Sequence, residues 1–294
     1  MTERPITLAY RLQAVGARLM LGLFGLLPLD AASALGGWLG RTIGPRLAMN
    51  RRARRNIARA LPELSEREID GVIRGMWDNL SRVTAEYPHL HKFDCYCGSR
   101  VEVIGAEFVD ELREDRRAGI FFSGHIANWE VCCMAATQRG VPVFQAYRAP
   151  NNPLINPIID RIRTRALGVT RYAKGAPGAR QLVKHLKAGD HLALLIDQKL
   201  NEGIPVPFFG RDAMTMVAMA SFALKFDVPV VPARVVRLRG ARFRIIIDAP
   251  MEITPTGDRD ADIADIMSRA TAILEGWVRA HPEQWFWVHR RWPD

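Results

Sequence analysis

Beyond residue 118, short apolar runs alternate with amphipathic stretches, and this alternation is what most restricts how the chain can fold. "GIFFSG" (119–124), "VPVFQAYR" (141–148), "HLALLID" (191–197), "VPVVPARVVRL" (228–238) and "ARFRIIIDAP" (241–250) read as strands. Between them, "NWEVCCMAATQRG" (128–140), "NPLINPIIDRIRTRALG" (152–168), "PGARQLVKHLKAG" (177–189) and "AMTMVAMASFALKFD" (213–227) read as helices, and residues 262–285 as a last long one. Strands and helices in turn predict an αβα sandwich around a mainly parallel central sheet, with its site at the carboxyl ends of the strands. The chain has 294 residues, 48 % of them hydrophobic, so it can bury a sizeable core. There is no internal repeat or low-complexity linker. One globular domain over 49–294 is therefore expected behind a distinct amino-terminal segment, 1–48.

That segment is the most apolar part of the sequence. "ARLMLGLFGLLPLD" (17–30) is interrupted by Asp30 and flanked by Arg11, Arg18, Arg41 and Arg46. A bilayer core needs about 20 apolar residues in a helix, so this run predicts a membrane-associated helical hairpin or one poor span. No small-residue cleavage site marks a signal peptide. "NRRARRNIARALPEL" (50–64) follows, with five arginines suited to anionic headgroups. The net charge of +10 points to an anionic partner, and arginines favour bidentate contact with phosphate or carboxylate. No zinc finger, RNP-like aromatic pattern or basic-zipper heptad accompanies the charge, which argues against nucleic acid.

Four cysteines, as C-x-C at 95 and 97 and as an adjacent pair at 132 and 133, match neither zinc nor redox spacing. His89, His91, Cys95 and Cys97 crowd into "PHLHKFDCYC", again without a metal-site interval, so no metal is expected. The thiols suit a reducing compartment.

The chemistry concentrates in "GHIANWE" (124–130). His125 is placed at the end of a strand, and Glu130 in the first turn of the following helix. Residues five apart on one helix diverge, so His125 must precede the helix to meet Glu130, with Asn128 as the cap between them. Glu130 would then fix the tautomer, leaving the other ring nitrogen to take a proton from a hydroxyl. Ser123 does not lie in a G-x-S-x-G elbow, against a serine hydrolase. Asp197 ends another strand and is expected at the same sheet edge, as a second acid or a structural anchor.

"GHIANWE" resembles the H-x-x-x-x-D/E motif of the glycerolipid acyltransferase superfamily. It is most similar to the bacterial lipid A secondary acyltransferases, where the motif commonly reads H-x-x-N-W-E. Further blocks follow in order: "YRAPNNPLINPIIDRIRTRALG" (147–168), "LLIDQKLNEGIPVPFFGRDAMT" (194–215), "VPVVPARVVR" (228–237) and "HPEQWFWVHRRW" (281–292). The resemblance spans nearly the whole chain. Met216 and Met219 depart from it, standing where the family usually has small residues.

The resemblance implies a glycerol-3-phosphate-acyltransferase-like fold and a cytoplasmic-face location at the bacterial inner membrane. It implies transfer of a fatty acyl chain from an acyl carrier protein thioester to a hydroxyl of an anionic glycolipid, a Kdo-bearing lipid A precursor, with no cofactor. His125, Glu130 and Asp197 would carry the catalysis. Asn128, Arg148, Arg165, Gln198, Phe208, Phe209 and Gly210 would bind substrate. Trp285, Trp287 and Trp292, interleaved with His289, Arg290 and Arg291, suit either a membrane interface or packing onto the sheet. The nearest rival is a phosphatidylinositol-mannoside-type acyltransferase using acyl-CoA. A rival of another class is a non-catalytic, basic membrane-binding protein.

Overall fold

The computed structural model describes residues 6–147, 152–173 and 175–292. The chain opens with two helices, α1 (Leu8–Leu26) and α2 (Leu29–Ile43), which break at Leu27 and Pro28 into a hairpin. Then come α3 (Asn50–Ala60) and α4 (Glu66–Glu86). Thr7 caps α1 through the amide of Tyr10, and Ser65 with Glu68 forms a reciprocal capping box on α4. The α/β part follows as β1 (Val101–Ile104), α5 (Ala106–Glu114), β2 (Ile120–Ser123), α6 (Met134–Thr137), β3 (Val143–Tyr147), α7 (Asn156–Leu167), β4 (Thr170–Ala173), α8 (Ala176–Lys187) and β5 (His191–Leu195). It continues through β6 (Lys199–Phe208), β7 (Arg211–Thr215), α9 (Ala218–Phe226), β8 (Val230–Arg239), β9 (Arg242–Ile247) and α10 (Arg259–Ala280).

The seven-stranded sheet runs β1-β9-β8-β2-β5-β3-β4 and is parallel except between β8 and β9; a mainly parallel sheet is what the alternation in the sequence led us to expect. All four residues of β2 are buried, as a central strand with both faces covered requires. Phe122, for example, stacks on Trp277 of α10 with ring centroids 5.7 Å apart. The chain leaves β2 toward one edge of the sheet and leaves β5 toward the other. Such a change of winding direction opens a crevice at the carboxyl ends of the two strands.

Two expected helices are shorter in the structure, for local reasons. Residues 128–140 hold only a 3-10 turn at Trp129–Val131 and the four-residue α6. Ala127, just before them, has the left-handed φ of +50°, and Asn128 makes no side-chain cap to start a longer helix. Residues 211–215 are not helical either, because β7 pairs with β6 as an antiparallel hairpin. Phe209 and Gly210 turn that hairpin with φ +53° and +66°, as the two central residues of a tight hairpin turn require. The helix therefore begins only at Ala218.

A buried polar cluster fastens the helical hairpin to the sheet. Glu86, fully buried, pairs with Arg237 of β8 through Nη1 at 2.5 Å and Nη2 at 3.1 Å. Ser33 of α2 donates to Glu86 at 2.7 Å, and Asn128 donates to its other oxygen at 2.9 Å. Arg237 Nε reaches Asn79 at 2.8 Å, and Asn79 in turn donates to the carbonyl of Ala127. These bonds hold α2, α4, β8 and the 124–130 loop in one arrangement. The glycines of α2 allow the close approach: a Cβ on Gly40 would lie 2.1 Å from the carbonyl oxygen of Trp77.

Removing one member of a buried ion pair leaves the other charge without compensation, which typically costs about 3–5 kcal/mol. Glu86→Ala is therefore expected to lower unfolding stability by about that amount. Denaturant titration should also show Glu86→Ala/Arg237→Met recovering part of the loss.

Candidate active site

The loop that follows β2 is pinned before it reaches the site. Ile126 bridges to Trp285, its amide donates to the carbonyl of Gly124 at 2.8 Å, and the amide of Ala127 donates to Gln284 at 3.0 Å. This three-residue γ-turn centred on His125 aims the imidazole across the end of the sheet. Gly124 admits the neighbouring carboxylate: a Cβ there would meet Leu274 at 2.6 Å and Asp197 Oδ2 at 3.3 Å.

Asp197, not Glu130, is the partner of His125. The parallel register sets Ser123 opposite Leu195, and two residues further on it brings His125 beside Asp197. His125 Nδ1 lies 2.7 Å from Asp197 Oδ1, while Oδ2 accepts the amide of His125 at 2.7 Å and the indole of Trp285 at 2.9 Å. Burial pushes the Asp197 carboxyl up. The charge and hydrogen bonds of His125, with help from His289, outweigh this and hold it far below the usual carboxylate range. Asp197 is thus ionised and can only accept hydrogen bonds, so Nδ1 of His125 must carry a proton. Nε2 is then the basic nitrogen, and Gln198 Nε2 sits 3.3 Å from it.

Glu130 is buried and has other partners. It pairs with Arg163 of α7 through two bonds, Nε to Oε2 at 2.8 Å and Nη2 to Oε1. It also accepts the Tyr87 hydroxyl at 2.6 Å and the Trp129 indole at 3.1 Å. Burial raises its carboxyl, yet the Arg163 charge and the hydrogen bonds from Arg163 and Tyr87 bring it below the ordinary value. The expected orienting role of Glu130 is corrected accordingly: Glu130 follows a tight loop with a left-handed residue, which turns it from His125 toward α7.

The other expected residues divide. Gln198 lines the site. Asn128 caps no helix; its amide goes to Glu86. Arg165 is exposed and borders a shallow depression with Thr137 and Gly168, away from the main cavity. Arg163, two positions earlier, faces the cavity together with Arg171. Arg148 lies outside the described residues. Phe208 and Phe209 are core residues, packed against Trp285, Trp287 and Trp292, and Gly210 serves the hairpin turn. The carboxyl-terminal tryptophans are therefore buried packing, not an interface belt. In the 88–97 span, His89 is buried with its Nε2 3.0 Å from the carbonyl oxygen of Phe24, Cys95 is buried and Cys97 is exposed.

A cavity of about 350 Å³ extends from His125 between β2, β3, β5 and α8, in the range of small-molecule sites. Its walls are mostly apolar, including Phe121, Ala146, Leu182, Leu194 and Phe222; Met216 also lines it, whereas Met219 is buried in the core. Cys132 and Cys133 lie in the wall, but burial pushes Cys132 up to about 12 and Cys133 higher still, so neither is a thiolate nucleophile at neutral pH.

His289 is the residue the sequence did not single out for chemistry. Its ring packs edge-on against His125 at 5.2 Å, and its Nε2 has no hydrogen-bond partner. Ligand atoms of His125, Asp197 and His289 fall within 4.8 Å of one another. Both Asp197 oxygens already accept hydrogen bonds from His125 and Trp285, and His289 joins the group by ring packing. Desolvation, then the charge of His125, pushes His289 down to about 3. A histidine with a depressed native value contributes stability above its unfolded value, near 6.5, and loses it as pH falls toward 3. Denaturant midpoints should therefore fall less between pH 7 and pH 4.5 in His289→Gln than in the native chain.

Comparison with known proteins identifies the family. The profile of the bacterial lipid A biosynthesis acyltransferases matches residues 7–294. Lipid A biosynthesis lauroyltransferase of Escherichia coli (strain K12) is 28 % identical over 257 residues, covering 83 % of this chain and 79 % of that protein. Lipid A biosynthesis acyltransferase 2 of Shigella flexneri is 23 % identical over 266 residues, covering 86 % and 80 %. With a match across nearly its whole length, the chain belongs to the bacterial lipid A biosynthesis acyltransferase family and is an acyltransferase.

Proposed function

We propose that the protein moves a fatty acyl chain from an acyl carrier protein thioester to a hydroxyl of a Kdo-bearing lipid A precursor, with His125 as general base. The observation that carries this reading is the His125–Asp197 pair at the rim of a mostly apolar cavity. His125 Nε2 takes the proton of the acceptor hydroxyl as its oxygen attacks the thioester carbonyl. Asp197 holds the ring and stabilises the imidazolium. Collapse of the tetrahedral intermediate breaks the carbon–sulfur bond, and the imidazolium returns the proton to the departing thiolate. No covalent enzyme intermediate is required, since the thioester arrives activated. Each methylene of the acyl chain buried in the cavity contributes roughly 0.8 kcal/mol. One donor of the Gln198 amide, 3.3 Å from Nε2, occupies the position that an acceptor hydroxyl would take.

The amino-terminal hairpin supports a location on the membrane surface. Leu8, Leu12, Val15, Leu19, Leu23 and Leu26 recur every three or four residues along one face of α1, and all are exposed. Among the described residues, no helix is long and apolar enough to cross a membrane. An apolar stripe on a helix of this kind lies in the interfacial plane. Asn152 donates to the carbonyl of Tyr10 and to Gln13, which fastens α1 to the segment leading into α7.

His125→Ala should lower transfer by about 10²–10⁴-fold, and Asp197→Asn by a comparable factor, with far-UV circular dichroism unchanged. The assay supplies carrier-protein and coenzyme A thioesters of equal chain length with the glycolipid acceptor. Full activity of His125→Ala would reject the base. Preference for coenzyme A would favour the phosphatidylinositol-mannoside-type reading.

A further inference from the structure

Glu130 is an expensive group to bury. A carboxylate with no solvent around it has to be compensated, and here Arg163 and Tyr87 do that. A buried ion pair is weak evidence of stabilisation, since well-packed apolar residues often do as well. Its remaining bond goes to the indole N–H of Trp129, at 3.1 Å. The Trp129 ring lies against the His125 imidazole, with centroids 4.9 Å apart and planes at 61°. His125, Trp129, Glu130 and Arg163 thus form a continuous series from the end of β2 to α7.

We propose that Trp129 is a positioning residue through which the Glu130–Arg163 pair holds the His125 ring on Asp197. This rests on the reading of His125 as the base and goes beyond it. The imidazole has one strong hydrogen bond at Nδ1, about which the ring can rock. Three aromatic rings limit that motion: Trp129, Phe286 at 6.3 Å and His289 at 5.2 Å. Trp129 is the one of the three whose ring nitrogen is fixed by a charged acceptor. His289 Nε2 has no partner, and phenylalanine has no polar atom in its ring. A charge-assisted hydrogen bond is about twice as strong as a neutral one, so the indole is held where a plain aromatic wall would drift. The histidine and glutamate of the motif thereby cooperate without touching, through the tryptophan that stands between them in sequence.

A double-mutant cycle tests the connection in the full-length protein. Trp129→Phe keeps a ring against the imidazole and removes the N–H; Glu130→Gln keeps an amide oxygen and removes the charge. Each should lower kcat about tenfold with KM within about twofold, and the double variant should be no slower than either single one, because both break the same connection. Losses that multiply to about a hundredfold would overturn the proposal, as would an unchanged kcat in Trp129→Phe. Should Glu130→Gln fail to fold, the low-field proton resonance of His125 Nδ1–H in Trp129→Phe decides alone. Faster exchange of that proton with water supports the connection, and an unaltered resonance rejects it. Failure of the base reading is separate: it would appear as activity retained in His125→Ala.

Discussion

The structure depends on one buried carboxylate. Asp197 sits at the end of a central strand with both oxygens occupied, by the His125 ring, the His125 amide and the Trp285 indole. Those bonds determine which nitrogen of His125 is basic, where the loop after β2 goes and why the carboxyl-terminal segment is folded back against it. A desolvated anion tolerates few alternative arrangements, because each lost donor leaves part of its charge unmatched. Trp285, which donates to this carboxylate, is itself packed against Phe208, Trp287 and Trp292 in a buried aromatic cluster.

A second anion, Glu86, does for the scaffold what Asp197 does for the site. Its partners come from α2, from β8 and from Asn128 in the motif loop, so the hairpin with the leucine stripe and the loop with His125 share one hydrogen-bonded node. The amino-terminal helices are consequently integral to the packing around the site. The exposed leucines, the basic α3 and the cavity lie on a body that this node keeps in one arrangement.

Much of this was legible in the sequence. The run GIFFSG read as a buried strand and HLALLID as another, and both end where polar residues appear, which made one sheet edge the expected place for His125 and Asp197. What sequence spacing could not provide was the pairing between them. Glu130 is five residues from His125 and Asp197 is 72, yet the closer one in sequence is turned away by the left-handed Ala127. Arginine choice failed for a related reason: Arg163 and Arg165 lie two apart on α7, and only the face turned inward reaches Glu130. The tryptophans near the carboxyl end have a composition common to interfaces and cores, and tertiary packing decided for the core. His289 gave one signal, its place among those aromatics, but nothing local indicated that it would lie beside His125.

The pairing of β2 with β5 has a consequence for how such a chain can vary. His125 and Asp197 meet because the two strands keep a constant offset from Ile120 and Leu192 onward. The connections between the 124–130 loop and β5 can lengthen or shorten without separating the two groups, provided that the offset holds. A single residue gained or lost inside either strand would turn every side chain beyond it to the opposite face of the sheet and part the pair outright. Insertions should thus be tolerated in the connections and forbidden in these two short strands.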